Sequence, residues 1–172
     1  MRPVFHRPAC RFAMSNHSIK TPCVGLCSTV YGDLVCRGCK RYHHEVIHWN
    51  GYDEAQKRAV WVRLEQLLVQ VMVAKLEVFD PLKLRQQLEQ RKIRFVERQS
   101  EYCWAYQLIA RGARVINNLE AYGLVLLPEF RDWDLPQLRD AIDREFFILS
   151  EAHYQRYIAP SFVRELTEQR II

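Results

Sequence analysis

From residue 53 onward the apolar positions recur at helical spacing. Asp53, with Gln56 three residues on, makes a capping-box start. Behind it Val60, Trp61, Leu64, Leu67, Leu68, Val71, Met72, Leu76 and Phe79 fall on one helical stripe. Asp80-Pro81 ends that helix and opens another, because proline's missing N–H costs nothing in a first turn. Between Leu82 and Arg111 there is neither Pro nor Gly, and Leu84, Leu88, Phe95, Tyr102, Ile109 and Ile116 mark a stripe with Tyr106 and Ala113 beside it. This predicts one long helix, or two with a break near residues 93–99. Gly123 reads as a helix C-cap and residues 124–127 as an apolar connector before Pro128. Asp134 caps a further helix, with Pro136 in its first turn, running to about residue 158; Pro160-Ser161 breaks it and a short tail helix follows.

Three or four amphipathic helices bury a common core, so the expected fold is mainly α: a helical hairpin or bundle. The length of 172 residues suits one domain with a small appendage, and no internal repeat is visible. Cys103, in mid-helix, reads as a small buried apolar residue rather than a reactive thiol.

The first 52 residues have a different character. The chain carries 25 Lys+Arg against 20 Asp+Glu, a net charge of +5. All of that excess lies in residues 1–52, which hold Arg2, Arg7, Arg11, Lys20, Arg37, Lys40 and Arg41 against only Asp33 and Glu45. Five of the six cysteines and five of the six histidines lie there too. The expected organisation is a flexible tail over 1–20, a four-cysteine motif over 21–52 and an α-helical domain over 53–172. The basic, proline-broken stretch 1–13 lacks the apolar centre of a secretory signal, and Met14 reads as the true start of translation, leaving Cys10 without a role. No apolar run approaches the roughly 18–20 residues needed to cross a bilayer, and the expected location is the cytoplasm.

Cys23, Cys27, Cys36 and Cys39 form C-x3-C-x8-C-x2-C. Two close pairs joined by a short loop let each pair grip one edge of a tetrahedron, the pattern of a four-thiolate metal or cluster site. Gly38 is expected to permit the backbone turn between Cys36 and Cys39. Arg37, Lys40 and Arg41 favour thiolate over thiol, and Gly25 and Gly32 supply turns on either side of residues 29–31. Disulfides suit a reducing compartment poorly, and a thioredoxin-like dithiol lacks its βαβ setting. Four cysteines serve one structural Zn2+ or an iron–sulfur cluster equally well in formal terms. The glycine inside the second pair and the basic residues after it lean to zinc. The eight-residue loop is short for a zinc finger and matches neither ferredoxin spacing. His43, His44 and His48, just downstream, read as surface or packing residues of a short helix over 42–49, since four thiolates already complete a tetrahedron. Trp49 is expected to pack over the knuckle.

These residues carry a resemblance. Thr21-Pro-Cys-Val-Gly-Leu-Cys27, then Cys36-Arg-Gly-Cys-Lys-Arg41, then Glu45-Val-Ile-His-Trp49, then Asp53-Glu-Ala-Gln-Lys-Arg-Ala59 and Leu64 follow in order. Over residues 21–68 this resembles the YdhL-like bacterial family, a domain of unknown function labelled as predicted iron–sulfur proteins. The resemblance implies Cys23, Cys27, Cys36 and Cys39 as ligands of an iron–sulfur cluster, and no reaction, substrate or partner.

Charge is patterned again further on. Residues 91–114 hold six basic and two acidic side chains, and residues 129–151 hold three basic and seven acidic. The simplest reading is two segments that lie antiparallel and neutralise each other. The competing one is a phosphate-binding strip with Tyr102, Trp104 and Tyr106 available for stacking. The sequence has no nucleophile elbow, P-loop, dinucleotide fingerprint or HExxH. The leading expectation is therefore a cytoplasmic metal- or cluster-binding accessory protein whose helices meet a protein partner. The alternatives are an RNA-binding zinc-knuckle protein, with Arg37, Lys40 and Arg41 on phosphates, and an iron–sulfur redox enzyme.

Overall fold

The computed structural model describes residues 19–161. Its elements are helices α1 (His43–Ile47), α2 (Glu54–Val73), α3 (Pro81–Gln90), α4 (Glu101–Gly112) and α5 (Leu135–Tyr157), with two short strands, β1 (Leu76–Val78) and β2 (Leu124–Leu126). The chain is mainly helical, as its periodicity predicts. None of its described helices is long and apolar enough to cross a membrane.

The helix starts follow the capping chemistry. Asp53 accepts the Gln56 N–H at 2.8 Å while Gln56 returns a bond to the Asp53 N–H at 2.9 Å. Asp80 and Asp134 cap α3 and α5 by accepting the Lys83 and Gln137 N–H, each followed by proline in the first turn. The region between α3 and α4 takes the two-helix form. Lys92 adopts a left-handed φ of 54°, and the chain runs irregularly to Ser100, whose side chain caps α4.

Helices α2, α4 and α5 pack together, with α3 against α4. Leu64, Leu68 and Met72 of α2 meet Leu108 and Ile109 of α4 and Leu138 and Ile142 of α5 in one core. Cys103 belongs to this core, and burial, aided by the charges of Glu65 and Glu101, pushes its thiol up to about 12. It is the buried small residue that the sequence suggests.

Two expectations change. Helix α2 stops at Val73, so Leu76 leaves the helix and enters β1, which pairs antiparallel with β2 in the register Leu76↔Leu126 and Val78↔Leu124. The apolar connector is thus a strand. The switch is made at Lys75, which is 3 % exposed: its carbonyl accepts the Leu127 N–H at 2.9 Å and its ammonium reaches both Glu145 carboxylate oxygens at 2.7 and 2.6 Å. Gly123 closes a single 3-10 turn (Glu120–Tyr122) rather than a long helix. Its φ is 79°, and a Cβ there would stand 2.4 Å from the Asp80 carbonyl oxygen. The tail helix expected beyond Pro160-Ser161, and the first 18 residues with Met14 and Cys10, lie outside the described residues.

Residues 35–42 dock on α5 through a second small core of Val35, Tyr42 and Tyr154, with Phe147 and Ile158 against it. This contact positions the cysteine motif on the helical body.

Candidate metal centre

Cys36 and Cys39 sit on a tight knuckle. The Cys36 N–H donates to the Arg41 carbonyl and the Lys40 N–H to the Cys36 carbonyl, both at 2.8 Å, and Val35 and Tyr42 bridge in antiparallel fashion beyond them. The left-handed residue of this turn is Lys40, at φ 58°, not Gly38. What Gly38 supplies is room. A Cβ there would lie 2.7 Å from Val24 Cγ2 and 2.8 Å from the Leu26 carbonyl oxygen, so only glycine lets the first cysteine segment press against the knuckle.

The two sulfurs have distinct environments. Burial acts to raise the Cys36 thiol, but the backbone N–H groups of Cys39, Ser28 and Gly38 outweigh it and bring the group down to about 7. Burial dominates at Cys39 and raises it, against the Arg41 guanidinium, whose Nε donates to the sulfur at 3.4 Å. N–H groups aimed at a sulfur, with a guanidinium beside its neighbour, form the environment that stabilises thiolate.

The first pair is held by local partners. Cys23 is exposed and its sulfur accepts the Gly25 N–H at 3.4 Å; Cys27 meets the Thr29 hydroxyl at 2.9 Å. Gly25 and Gly32 do make left-handed turns on either side of a 3-10 turn, Ser28–Tyr31. The Cys36 thiol points to the Leu26 carbonyl at 3.7 Å, and the Ser28 hydroxyl accepts the Arg37 N–H at 2.8 Å, so the two cysteine segments touch. No group of three or more His, Cys, Asp or Glu side chains converges on a single point among the described residues. Cys36 and Cys39 share the knuckle, and the segment that carries Cys23 and Cys27 lies against it.

The basic residues around the knuckle are mostly internal. Lys40 is 1 % exposed, and its ammonium donates to the Arg37 carbonyl at 2.6 Å, to the Gly38 carbonyl at 3.3 Å and to the carboxylate of Asp143 on α5. Arg41, also buried, stacks its guanidinium on Trp49 at 5.0 Å. Trp49 therefore supports the knuckle through Arg41 and belongs to the main core. Of the three basic residues expected to meet phosphates, Arg37 alone presents its side chain to solvent, at 68 %.

The histidines fall on and beside α1. His43 and His44 pack against Tyr154 and Tyr42 with ring centroids 6.1 and 5.8 Å apart, and His48 is exposed. Burial, reinforced by the positive charges of His43, Arg63 and His48, holds the His44 imidazole down at about 4. Around them runs a polar network that the sequence did not reveal. Tyr42 Oη bonds His153 Nδ1 at 2.7 Å; Arg63 lies over the Tyr42 ring at 3.7 Å and bonds Glu45 at 2.6 Å; Glu45 also accepts the Tyr42 N–H at 2.9 Å. Burial raises the Glu45 carboxyl in spite of Arg63. The Arg63–Glu45 and Tyr42–His153 bonds span 18 and 111 positions, beyond any local spacing signal. The charge segments 91–114 and 129–151 also pair differently from the expectation. No ion pair joins them among the described residues, and the α5 carboxylates Asp143 and Glu145 go to Lys40 and Lys75 instead.

A protein-family model described as "Protein of unknown function (DUF1289)" matches residues 21–68, the stretch from just before Cys23 through most of α2. No curated protein and no solved structure matches the chain.

Proposed function

We propose that the chain is a metal- or cluster-binding accessory protein, in which Cys23, Cys27, Cys36 and Cys39 hold one ion or cluster and so staple residues 21–52 to the helical body. The observation that carries this reading is the Cys36–Cys39 knuckle: two buried sulfurs, three N–H groups on one and a guanidinium on the other. The donor chemistry suits a soft or borderline metal. Cys23 and Cys27 would join by leaving the Gly25 N–H and the Thr29 hydroxyl, partners that cost little to give up. The site is structural in this reading, and what the bound group supplies is folding free energy.

The iron–sulfur identity rests on the family resemblance, and the glycine-bearing knuckle leans to zinc. Large apolar side chains stand exposed on both parts of the chain, Leu26, Val30 and Tyr31 in the cysteine loop and Ile148 and Tyr157 on α5, a surface suited to a protein partner. The nucleic-acid reading loses two of its three knuckle contacts, because Lys40 and Arg41 are buried in intramolecular bonds.

Purification without oxygen and without added metal, followed by iron, acid-labile sulfide and zinc analysis with a visible spectrum, tests the proposal. One zinc per chain, or iron with matching sulfide, is the expected result. A colourless one-zinc protein rejects the iron–sulfur identity, and a folded protein with neither metal rejects the reading altogether.

A further inference from the structure

A cleft of about 460 Å3 opens where α4, α5 and the cysteine knuckle meet, a volume within the range of small-molecule sites. Three guanidinium groups line it: Arg37 from the knuckle and Arg139 and Arg144 from α5. Each is disposed differently. Arg37 is anchored through Nε to Asp33 at 2.9 Å and lies over the Phe147 ring at 4.9 Å, so it reaches the cleft along a fixed line and keeps its other N–H groups. Arg139 pairs with its neighbour Asp140 at 2.8 Å. Arg144 is exposed and enters no ion pair among the described residues.

Two acids line the cleft and both are paired, Asp140 with Arg139 and Asp143 with Lys40. Asp143 takes the buried Lys40 ammonium, and it also meets the Tyr106 hydroxyl, which burial, with that carboxylate, pushes up to about 12 and so keeps protonated. The floor therefore offers an anion little repulsion. Forks offered to one cleft from two separate elements match an oxyanion with several equivalent oxygens better than they match a carboxylate, which one fork satisfies. The surroundings limit the size of the anion. Asp132, Asp134 and Glu151 stand exposed on or beside α5 and would repel a polyanion running past the cleft.

We propose that this cleft binds a small phosphorylated molecule of nucleotide size, with Arg37, Arg139 and Arg144 on its phosphoryl oxygens. The inference is independent of which metal the cysteines hold, since two of the three arginines stand on α5.

Calorimetric titration of the full chain at low ionic strength with inorganic pyrophosphate, with adenosine monophosphate and with a short single-stranded RNA tests it. Both small anions are expected to bind. Arg144→Ala is expected to weaken them by about tenfold or more, as loss of a charge-assisted fork requires, while Arg94→Ala, in the exposed loop before α4, leaves them unchanged. Arg144→Gln serves as a second variant, and an unchanged melting curve and metal content separate a site effect from unfolding or metal loss. The proposal fails if neither small anion binds, if Arg94→Ala weakens binding as much as Arg144→Ala, or if RNA alone binds.

Discussion

The ammonium of Lys40 and the carboxylate of Asp143 tie the cysteine knuckle to helix α5 across 103 positions of sequence. Lys40 occupies the left-handed position of the knuckle, is 1 % exposed, and directs its charge inward to two carbonyls and this carboxylate. The conformation that turns the chain just after Cys39 and the bond that docks the turn on the helical body thus reside in one residue. Asp143→Asn keeps the shape and removes the charge. It is expected to cost about 2 kcal/mol, the scale of a hydrogen bond to a charged group, read as a lowered urea midpoint at unchanged slope.

Gly38 makes a sharper demand. Gly38→Ala places a methyl 2.7 Å from Val24 Cγ2 and 2.8 Å from the Leu26 oxygen, and the second of these is backbone that must move as a unit. The expected cost is about 1–3 kcal/mol, the range for overpacking, together with a lower metal content, because the displaced segment carries Cys23 and Cys27. Metal analysis of the purified variant beside its melting curve checks both. Full metal occupancy in the variant would show that the close approach of the two segments is not needed for the site.

Cys103 and Cys23 should behave as opposites. In metal-free protein at pH 8 a thiol reagent is expected to modify the exposed Cys23 readily and to leave Cys103 untouched, since Cys103 is 4 % exposed and its thiol is held at about 12. Cys103→Ser should cost about 1–3 kcal/mol, because it puts a hydroxyl where the thiol has no need of a partner, and should not alter metal content. Peptide mapping of the modified sites reads the first outcome, denaturant melts the second.

His44 gives a pH dependence with a definite sign. Its folded value of about 4 lies below its ordinary value of 6.5, so between those limits the unfolded chain binds a proton that the folded chain refuses. Its contribution to stability is complete above pH 6.5, declines as pH falls toward 4 and is spent below that, with a slope of at most about 1.4 kcal/mol per pH unit. Glu45 works the other way: its raised carboxyl takes a proton more readily when folded, favouring the folded chain as pH falls. The difference between the parent and His44→Gln isolates the histidine. Parallel stability curves for the two between pH 4 and 6.5 would show that His44 is not held neutral.

The helices were legible in the sequence because their signals are local. Asp53 with Gln56, Asp80-Pro81 and Asp134 with Pro136 each announce a helix start within four residues, and the caps stand where that chemistry puts them. The strands were not. Leu76 continues the periodicity of α2, and only its pairing with Leu126, fifty positions away, makes it a strand; three residues are too few for an alternation to show. The cysteine spacing identified the candidate ligands and the close pairing of Cys36 with Cys39. It could not show that Lys40 bends the turn, because a left-handed lysine is uncommon and is sustained here by α5. Nor could the spacing show that Arg41 and Glu45 are buried, Arg41 against Trp49 and Glu45 against Arg63.

In the proposed reading one site takes all four of Cys23, Cys27, Cys36 and Cys39. X-ray absorption at the edge of the bound metal, on protein purified without oxygen, reads the donor shell directly. Four sulfur neighbours at about 2.3 Å, the distance of a thiolate from zinc, are expected, with loss of that shell in Cys36→Ser. A shell of two sulfurs completed by nitrogen or oxygen would contradict it, restricting the site to the Cys36–Cys39 knuckle with donors from elsewhere in the chain.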